Sequence, residues 1–493
     1  MEYDVLVVGG GIGGLTVAAL LAARGASVCL FERENNTGGC LANFSAGGYD
    51  FEGGAGLYSS FGSGELHEQI FAELKTTMPE VRPCAPPYVV RLPDGTDISI
   101  ATERQEFEAG LAGAFPECAS PAIEFYRHLA ETDAEIRSAA NRSPNLEQLT
   151  KPGRFRNLLD ASARKLSQLK GDTVSAHFGN TSPRFQNFVD AQLQMLAQSS
   201  SEVCPYLYAA IALMLPRHGM YSIKGGGSAL AESLTDSIRR SGGTVRLNAP
   251  VLRLSYATDG TPGGIDLLSG ETVRARRAIV SNLTAWDTYG KLVGSSRAPA
   301  EVREPLKGLH SSGAYMLYLG MDDAAVERLP ADHILASASG GSDDNAMSPF
   351  MFAVSPSSDA RAPAGKRAVT IWTQTETESW FTFHNDPQEM EDMDQTALED
   401  WWTRIHRLLP ELGAAVEVIE TETPQGHYER TRRRMGWVGG FAQSVVNAAS
   451  NPFSHRTPIP KLYMVGDTLF PGQGVSAVTR SASLLADELA PLK

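Results

Sequence analysis

The sequence of 493 residues predicts an α/β protein in which one Rossmann-like domain is built from separate stretches of the chain. An apolar strand, a glycine-rich turn and a helix follow one another at the beginning of the chain. Near its end, a second apolar strand is followed by Gly-Asp, another glycine-rich turn and a closing helix. Unbroken apolar strands are typical of parallel sheets that helices cover on both faces. We therefore expect the two ends of the chain to meet in one domain.

Composition and charge narrow the class of protein. Hydrophobic residues make up 42% of the chain and charged residues 20%, which is typical of a globular protein of about two or three domains. The formal net charge of -14 repels nucleic acid, so no nucleic-acid partner is expected. The five cysteines are scattered without CxxC spacing, which indicates a reducing compartment and neither a disulfide framework nor a metal site.

The first element is a βαβ unit. Residues 4–8 are apolar at nearly every position and predict a buried strand, and residues 15–24 predict a helix. Residues 27–31 predict a second buried strand, which ends at Glu32. The unit has the length of about 30 residues that such a motif requires.

The turn of this unit carries a dinucleotide fingerprint, Gly9-x-Gly11-x-x-Gly14. Gly9 makes the tight turn, Gly11 lets the backbone approach a diphosphate, and Gly14 lets the helix pack closely on the strand. Glu32 lies 18 residues after Gly14, where a carboxylate accepts hydrogen bonds from ribose hydroxyls and disfavours a 2′-phosphate. The alternative is a tight glycine turn that holds no ligand.

Two glycines after Glu32 indicate that the cofactor is an extended one. Gly38 and Gly39 come soon after Glu32, and such bare backbone suits a chain that runs along a long cofactor. A mobile surface loop is the alternative, but the nearby apolar Tyr49 and Phe51 favour a packed segment.

The C-terminal motif decides between dinucleotides. Residues 462–465 predict a buried strand, Gly466-Asp467 follows it, and residues 475–489 predict a helix that opens at Gly474. In a flavoprotein this carboxylate lies near the sugar chain, and the helix N-terminus faces the ring edge where negative charge collects on reduction. The alternative is an aspartate that caps an ordinary turn.

The middle of the chain alternates between helical and strand patterns. Residues 105–200 are mostly helical in pattern, and residues 386–417 predict an acidic helical stretch. Between these two stretches, residues 228–240 predict one further helix. Four strands are predicted as well, at residues 244–247, 251–256, 313–321 and 367–373. The last two strands alternate as in an antiparallel sheet.

The order of these motifs resembles the FAD-dependent phytoene desaturase and carotenoid isomerase family almost from end to end. The resemblance also rests on Phe51-Glu52-x-Gly54, the segment 218–226, Ala278 to Asn282, and Pro471-Gly472-Gln473-Gly474. The stretch from Asp190 to Gly226 is closer to the isomerase and retinol-saturase branch. The chain departs from the family pattern at Cys40, where the family has arginine, and at Glu52, where it has aspartate.

The resemblance implies FAD as the cofactor and a set of residues that contact it. These are Gly9, Gly11, Gly14, Glu32, Gly38, Gly39, Val251 (on the adenine side), Gly466, Asp467, Gly474 and Val475. No residue pattern identifies a catalytic acid or base, and Arg217, His218 and Arg480 are the candidates that the family motifs leave. Ordinary loop residues are the alternative for Arg217 and His218.

The resemblance also implies the activity and the division of the chain. The expected protein is an FAD-dependent oxidoreductase, a desaturase or a redox-neutral isomerase or saturase, that acts on an apolar polyene or isoprenoid such as a carotenoid. An amine oxidase-like enzyme and a non-catalytic lipid-binding escort of the Rab-inhibitor type are the alternatives. The FAD-binding domain is expected at residues 1–66, 216–290 and 455–493. The substrate domain, with its helical lid, is expected at residues 67–215 and 291–454.

Residues 151–170 are basic in an acidic protein. Two interpretations stay open: a solvated helix that packs on the substrate domain, or a peripheral membrane contact of a cytoplasmic enzyme. On a helix, apolar residues such as Phe155 and Leu158 gather on one face, with Arg154 and Lys165 at its edges. An apolar substrate would then enter from the bilayer.

The membrane hypothesis predicts salt-sensitive binding to anionic liposomes. Each lysine or arginine near an anionic surface contributes about 1 kcal/mol, and salt screens the attraction. The protein should sediment with the liposomes at low salt, and changing Arg154, Arg156, Arg164 and Lys165 together to Gln should abolish this with flavin retained. If the unmodified protein associates with no lipid mixture, the segment is a structural helix.

Overall fold

The computed structural model of the chain describes residues 1–142, 166, 168–169, 171–337, 348–382, 386–413, 416–450 and 453–490. Apart from Leu166, Gln168 and Leu169, the basic segment 151–170 lies outside the described residues. None of the helices within these ranges is long and apolar enough to cross a membrane.

The strands are numbered in chain order: β1 (Glu2–Val8), β2 (Val28–Phe31), β3 (Phe44–Ala46), β4 (Tyr49–Phe51), β5 (Tyr58–Ser59), β6 (Val81–Cys84), β7 (Val89–Arg91), β8 (Asp97–Ser99), β9 (Met220–Ile223), β10 (Thr244–Arg246), β11 (Val251–Tyr256), β12 (Pro262–Leu267), β13 (Thr272–Ser281), β14 (Gly313–Asp322), β15 (His333–Ala336), β16 (Phe350–Val354), β17 (Lys366–Thr375), β18 (Val416–Glu422) and β19 (Leu462–Met464).

The α-helices are numbered in the same way: α1 (Ile12–Ala23), α2 (Leu66–Glu73), α3 (Arg104–Ala114), α4 (Ala119–Arg142), α5 (Pro183–Ala197), α6 (Tyr206–Met214), α7 (Gly226–Arg240), α8 (Ala285–Asp287), α9 (Ala300–Gly308), α10 (Asp323–Val326), α11 (Glu378–Thr382), α12 (Pro387–Leu408), α13 (Pro424–Thr431), α14 (Val445–Ser450) and α15 (Val475–Leu489).

The first sheet joins segments that are far apart in sequence. Its order is β10-β2-β1-β13-β12-β11, and β19 also pairs with β13. The pairs that join β10, β2, β1, β13 and β19 are all parallel. Val280 of β13 lies between Val7 of β1 and Tyr463 of β19. The carboxyl ends of the N-terminal and C-terminal strands therefore meet at one edge, where α/β sheets bind ligands.

Helix α1 is the centre of the layer that covers this sheet. Every residue from Ile12 to Ala22 is buried, and Leu20 packs in one cluster with Leu234 of α7 and Leu485 of α15. Each such buried leucine contributes about 1.5–3 kcal/mol. Close packing also requires a glycine, since a Cβ at Gly14 would lie 2.2 Å from the carbonyl oxygen of Gly9.

The second sheet has the order β18-β14-β17-β16-β15-β7-β8. It is mixed, because β15 and β7 are parallel whereas its other pairs are antiparallel. On β16, Met351 packs in the cluster of helices α3 to α6, and the neighbouring Phe350 packs with Trp401 of α12. Successive side chains of a strand point to opposite faces, so helices cover both faces of this sheet. The mixed architecture confirms the predicted fold class, and the residue bounds of the domains stay a prediction.

A buried ion cluster joins the two sheet layers. The guanidinium of Arg361 lies 3.0 Å from Glu52 Oε1 and 2.9 Å from Asp359 Oδ2. Glu52 also accepts the backbone N–H of Gly227 at 3.2 Å, and Asp359 accepts that of Gly225 at 3.0 Å. These N–H groups stand at the beginning of α7, while Arg361 precedes β17. The cluster therefore fixes a helix of the first layer to the second sheet, and it gives Glu52 a structural role.

Removing the cation of this cluster should destabilise the fold. Arg361→Met leaves the carboxylates of Glu52 and Asp359 buried without a counter-charge, which costs about 3–5 kcal/mol. Arg253→Met is the matched control, because Arg253 pairs with Asp266 at the surface and contributes less than about 1 kcal/mol. Scanning calorimetry should show a clearly lower melting temperature for the first variant alone. Equal melting temperatures of the two variants would disprove the structural role of the cluster.

Candidate functional site

A cleft of about 660 Å³ lies between the carboxyl edge of the first sheet and the second sheet. Its volume is in the range of cofactor and ligand sites. It is lined by the glycine turn after β1, the loop after β2, the start of β11, residues after β13, β18 and β19, and side chains of β14 and β17.

The glycine turn presents bare backbone and a helix N-terminus to the cleft. Gly9 has a φ of +99°, and Gly11 is the N-cap of α1 without a side chain that caps the helix. Uncapped N–H groups at such a terminus bind phosphate oxygens. A Cβ at Gly11 or Gly13 would lie 2.8 or 2.6 Å from the side chain of Asn282, which follows β13. Asn282 therefore supports the turn, a role that the sequence motifs did not reveal.

Glu32 stands at the end of β2 and faces this turn. Its Oε2 accepts the N–H of Gly10 at 2.6 Å, and its Oε1 accepts the N–H of Glu34 at 2.9 Å. Each carboxylate oxygen has further acceptor capacity, which leaves Glu32 able to accept from hydroxyl groups in the cleft.

The paired glycines pack directly on the turn. Gly38 donates its N–H to the carbonyl of Gly10 at 2.9 Å, and a Cβ at Gly39 would lie 3.2 Å from the Cα of Gly11. This contact favours a packed segment at Gly38 and Gly39 over the mobile-loop alternative. Val251, at the start of β11, also lines the cleft.

The C-terminal motif reaches the same cleft. Gly466 and Gly474 have φ values of +121° and +99°, and Gly474 caps α15 without a side-chain hydrogen bond. Asp467 Oδ2 lies 2.8 Å from the guanidinium of Arg433, which also donates to the carbonyl of Trp437 at 2.7 Å. Burial opposes the charge of Arg433, but Asp467 outweighs it and raises the pKa of the guanidinium. Arg433 was not singled out from the sequence, because no motif marks it.

The side of the cleft that faces the second sheet is mainly apolar. Its lining includes Ala314 and Met316 of β14, Trp372 of β17, and Leu57, Met195 and Val438 from other segments, together with the amide of Gln374. The charged lining residues and His427 come instead from segments that follow β2, β13, β18 and β19: Glu32, Arg33, Glu34, Asp287, Lys291, His427, Arg430, Arg432, Arg433 and Asp467. The cleft therefore has a charged part and an apolar part.

An amide network borders the apolar part. Gln198 has a left-handed backbone with a φ of +51°, and its amide nitrogen donates to the carbonyl of Val438 at 2.8 Å and to Gln473 Oε1 at 3.1 Å. Its amide oxygen accepts the N–H of Ser312 at 2.8 Å. Gln198 thus ties α5 to three other segments of the cleft wall.

The three candidate catalytic residues lie elsewhere. His218 Nε2 is 2.7 Å from the buried carboxylate of Asp133, and Arg217 lies over the ring of Phe107 at 4.1 Å. Arg480 is on α15, and in the described part of the chain none of these three residues lines the cleft. Their catalytic roles stay predictions, whereas the predicted cofactor residues Gly9, Gly11, Glu32, Gly38, Gly39, Val251, Gly466, Asp467, Gly474 and Val475 do line it.

Curated proteins of similar sequence include carotenoid enzymes. Prolycopene isomerase 1, chloroplastic, of an Oncidium hybrid cultivar is 27% identical over 99% of this chain and 84% of its own length. The zeta-carotene-forming phytoene desaturase of Myxococcus xanthus is 26% identical over 98% of this chain and 93% of its own length. These matches confirm the resemblance to the phytoene desaturase and carotenoid isomerase family.

A solved structure shares the fold over the whole chain. An oxidoreductase from Methanosarcina mazei matches with a TM-score of 0.65 and 18% identity, and the match covers 99% of this chain and 100% of that one. At this identity the likeness concerns the fold alone.

The family described as flavin containing amine oxidoreductase matches residues 12–489. FAD is therefore the cofactor, and the protein is an FAD-dependent oxidoreductase. The chain belongs to the flavin-containing amine oxidoreductase family.

Proposed function

We propose that the charged part of the cleft holds FAD and that the apolar part holds a long polyene or isoprenoid such as a carotenoid. The observation that carries the proposal is the separation of the two parts. A dinucleotide needs backbone donors and charge, whereas a polyene needs apolar walls that exclude water. The names of the isomerase and desaturase relatives support the same class of substrate.

The proposed order of FAD contacts follows the lining residues. Val251 lies toward the adenine, Glu32 takes the ribose hydroxyls, and the turn from Gly9 to Gly13 faces the diphosphate. Gly14 does not line the cleft and serves the close packing of α1 on β1. Gly466, Asp467, Gly474 and Val475 lie toward the flavin, where α15 points its N-terminus. The two uncapped helix N-termini and the glycines without room for a Cβ fit a negatively charged cofactor that lies close to the backbone.

The chain's own residues position the substrate and exclude water in this proposal. Bound FAD supplies the redox chemistry, since it accepts or returns a hydride. Met316, Trp372 and Val438 contact the polyene, and the amides of Gln198 and Gln473 hold the wall beside them. Desaturation, isomerisation and saturation of a polyene would all use a flavin that lies beside these apolar walls.

The two alternatives have less support. An amine oxidase-like site would hold an ammonium group near a carboxylate or between aromatic rings, and the carboxylates that line this cleft lie in its charged part. A lipid-binding escort without flavin would not need Glu32 and Asp467 in the cleft. Cytoplasmic location and membrane contact through residues 151–170 stay predictions from the sequence.

Removing the proposed ribose acceptor should weaken cofactor binding. Glu32→Ala loses charge-assisted hydrogen bonds, which corresponds to about 1–3 kcal/mol in the binding free energy of FAD. Titration calorimetry with FAD measures this directly. Glu271→Ala is the control, because Glu271 pairs with Arg246 of β10 and neither residue lines the cleft. Unchanged FAD affinity of the Glu32 variant would refute the ribose contact.

The substrate class can be tested with a charge in the apolar part. Leu57→Asp should weaken binding of a linear carotenoid hydrocarbon by roughly 2 kcal/mol or more, because the carboxylate loses its hydration when the polyene binds. The flavin absorbance change on adding the carotenoid in detergent micelles reports binding. Leu268→Asp, at a residue that is 68% exposed, is the control. Peroxide formation with putrescine or benzylamine, together with no response to any polyene, would instead support an amine oxidase.

A further inference from the structure

Cys40 lies in the charged part of the cleft beside a histidine from a distant segment. It occupies the short 3-10 helix Gly39–Leu41, is partly buried, and lines the cleft. Its Sγ is 3.7 Å from Nε2 of His427, a buried residue of α13 that is 387 positions away in sequence.

The other side of the imidazole determines which atom faces the sulfur. His427 Nδ1 is 3.4 Å from Glu422 Oε1 and 3.2 Å from the guanidinium of Arg430. In the protonated ring both nitrogens carry hydrogen, and Glu422 accepts from Nδ1. With the Nδ1 hydrogen directed at Glu422, Nε2 of the neutral ring accepts the proton of the Cys40 thiol. Nε2 then carries that proton and donates to the sulfur, an arrangement that stabilises the thiolate.

The charges around Cys40 act in the same direction. Burial raises the pKa of the thiol, but Arg433, His427 and Arg430 outweigh it and lower the pKa to about 7. Both arginines also have carboxylate partners, which are Asp467 for Arg433 and Glu422 for Arg430.

The other cysteines provide the contrast. Burial raises the pKa of Cys84 to about 11 and the pKa of Cys29 and Cys204 to about 12. Cys84 is partly buried like Cys40, but it does not line the cleft. A nucleophile, a base within reach and a third group that orients the base are the features of an activated thiol, and Cys40, His427 and Glu422 have all three.

We propose that Cys40 is a modification site, a thiolate activated by His427 that attacks hydrogen peroxide or another soft electrophile when FAD does not cover it. The thiolate forms an S–O bond as the O–O bond of the peroxide breaks. The products are a sulfenic acid on Cys40 and hydroxide, which takes the Nε2 proton of the His427 imidazolium and leaves as water. Hydrogen peroxide is the two-electron oxidant, and the sulfur is oxidised.

Such a modification changes the cofactor site itself. The new oxygen lies beside Gly39, where the backbone is packed against Gly11 of the dinucleotide turn. The inference rests on the proposal that FAD occupies this part of the cleft. Oxidation of Cys40 then lowers the affinity for FAD, and bound FAD protects the thiol.

The test is site-resolved alkylation of the full-length protein. Iodoacetamide labelling is followed by peptide mass spectrometry at each cysteine, between pH 5 and 9, in preparations of measured flavin occupancy. At pH 7 and low occupancy, Cys40 should react at least about a hundredfold faster than Cys84, because its thiolate fraction is larger. The rate should rise with a midpoint near the Cys40 pKa of about 7 and fall as flavin occupancy increases. Dimedone should trap a sulfenic acid at Cys40 after peroxide treatment.

Variants separate activation by His427 from simple exposure. His427→Gln should move the midpoint for Cys40 upward by roughly one pH unit or more. His310→Gln, at an exposed histidine outside the cleft, should leave it unchanged. Labelling of the buried Cys29 and Cys204 reports any unfolding in the same samples.

Three results would overturn the proposal. They are equal rates at Cys40 and Cys84, a midpoint that His427→Gln does not move, and a Cys40 rate independent of flavin occupancy. The measurements use no polyene, so a wrong substrate class leaves them unaffected. A failure of the FAD contacts would appear instead in the calorimetry of the Glu32 variant.

Discussion

The parallel pairing of β13 with both β1 and β19 is the interaction on which the rest of this structure depends. Val280 of β13 has Val7 on one side and Tyr463 on the other, so three segments from the beginning, middle and end of the chain share one register. A slip of one residue would move the buried side chains of these strands to the opposite face of the sheet. Because the carboxyl ends coincide, the turn after β1, Asn282 and Gly466-Asp467 meet at one edge of the sheet.

The contents of the cleft follow from this geometry. Helices α1 and α15 both begin at that edge, and each presents an N-terminus that no side chain caps. The second sheet, fixed to α7 through Glu52, Arg361 and Asp359, forms the opposite wall. One wall offers backbone donors and charge while the other offers apolar side chains, so a flavin and an apolar substrate can meet along the boundary between them.

Ionisable groups from the segment 422–433 add to the charged wall. Arg433 pairs with Asp467, and His427 and Arg430 lie beside Cys40, at the position where the pattern of the resembled family has an arginine. The positive charge that the sequence lacks at position 40 is thus supplied from another part of the chain. This rearrangement gives the cofactor wall a thiol in an electropositive environment, which is the basis of its proposed reactivity.

Features whose residues are close together in the chain could be predicted from the amino-acid pattern. The βαβ unit, the glycine turn with Glu32 and the helix Val475–Leu489 follow from periodicity and from the few residues that tolerate such turns. The strands at 313–321 and 367–373 were predicted, and the structure pairs them antiparallel.

Contacts between side chains that are far apart in the sequence became visible in the folded protein. Asp467 was predicted near the cofactor, but its pairing with Arg433 depends on how the loop after α13 is folded. The contact of Cys40 with His427 spans 387 positions, and no local pattern encodes it. His218 follows a family motif, yet the packing of α4 places it against Asp133 instead of in the cleft. Local spacing fixes backbone conformation, whereas contacts between distant side chains depend on the packing of whole layers.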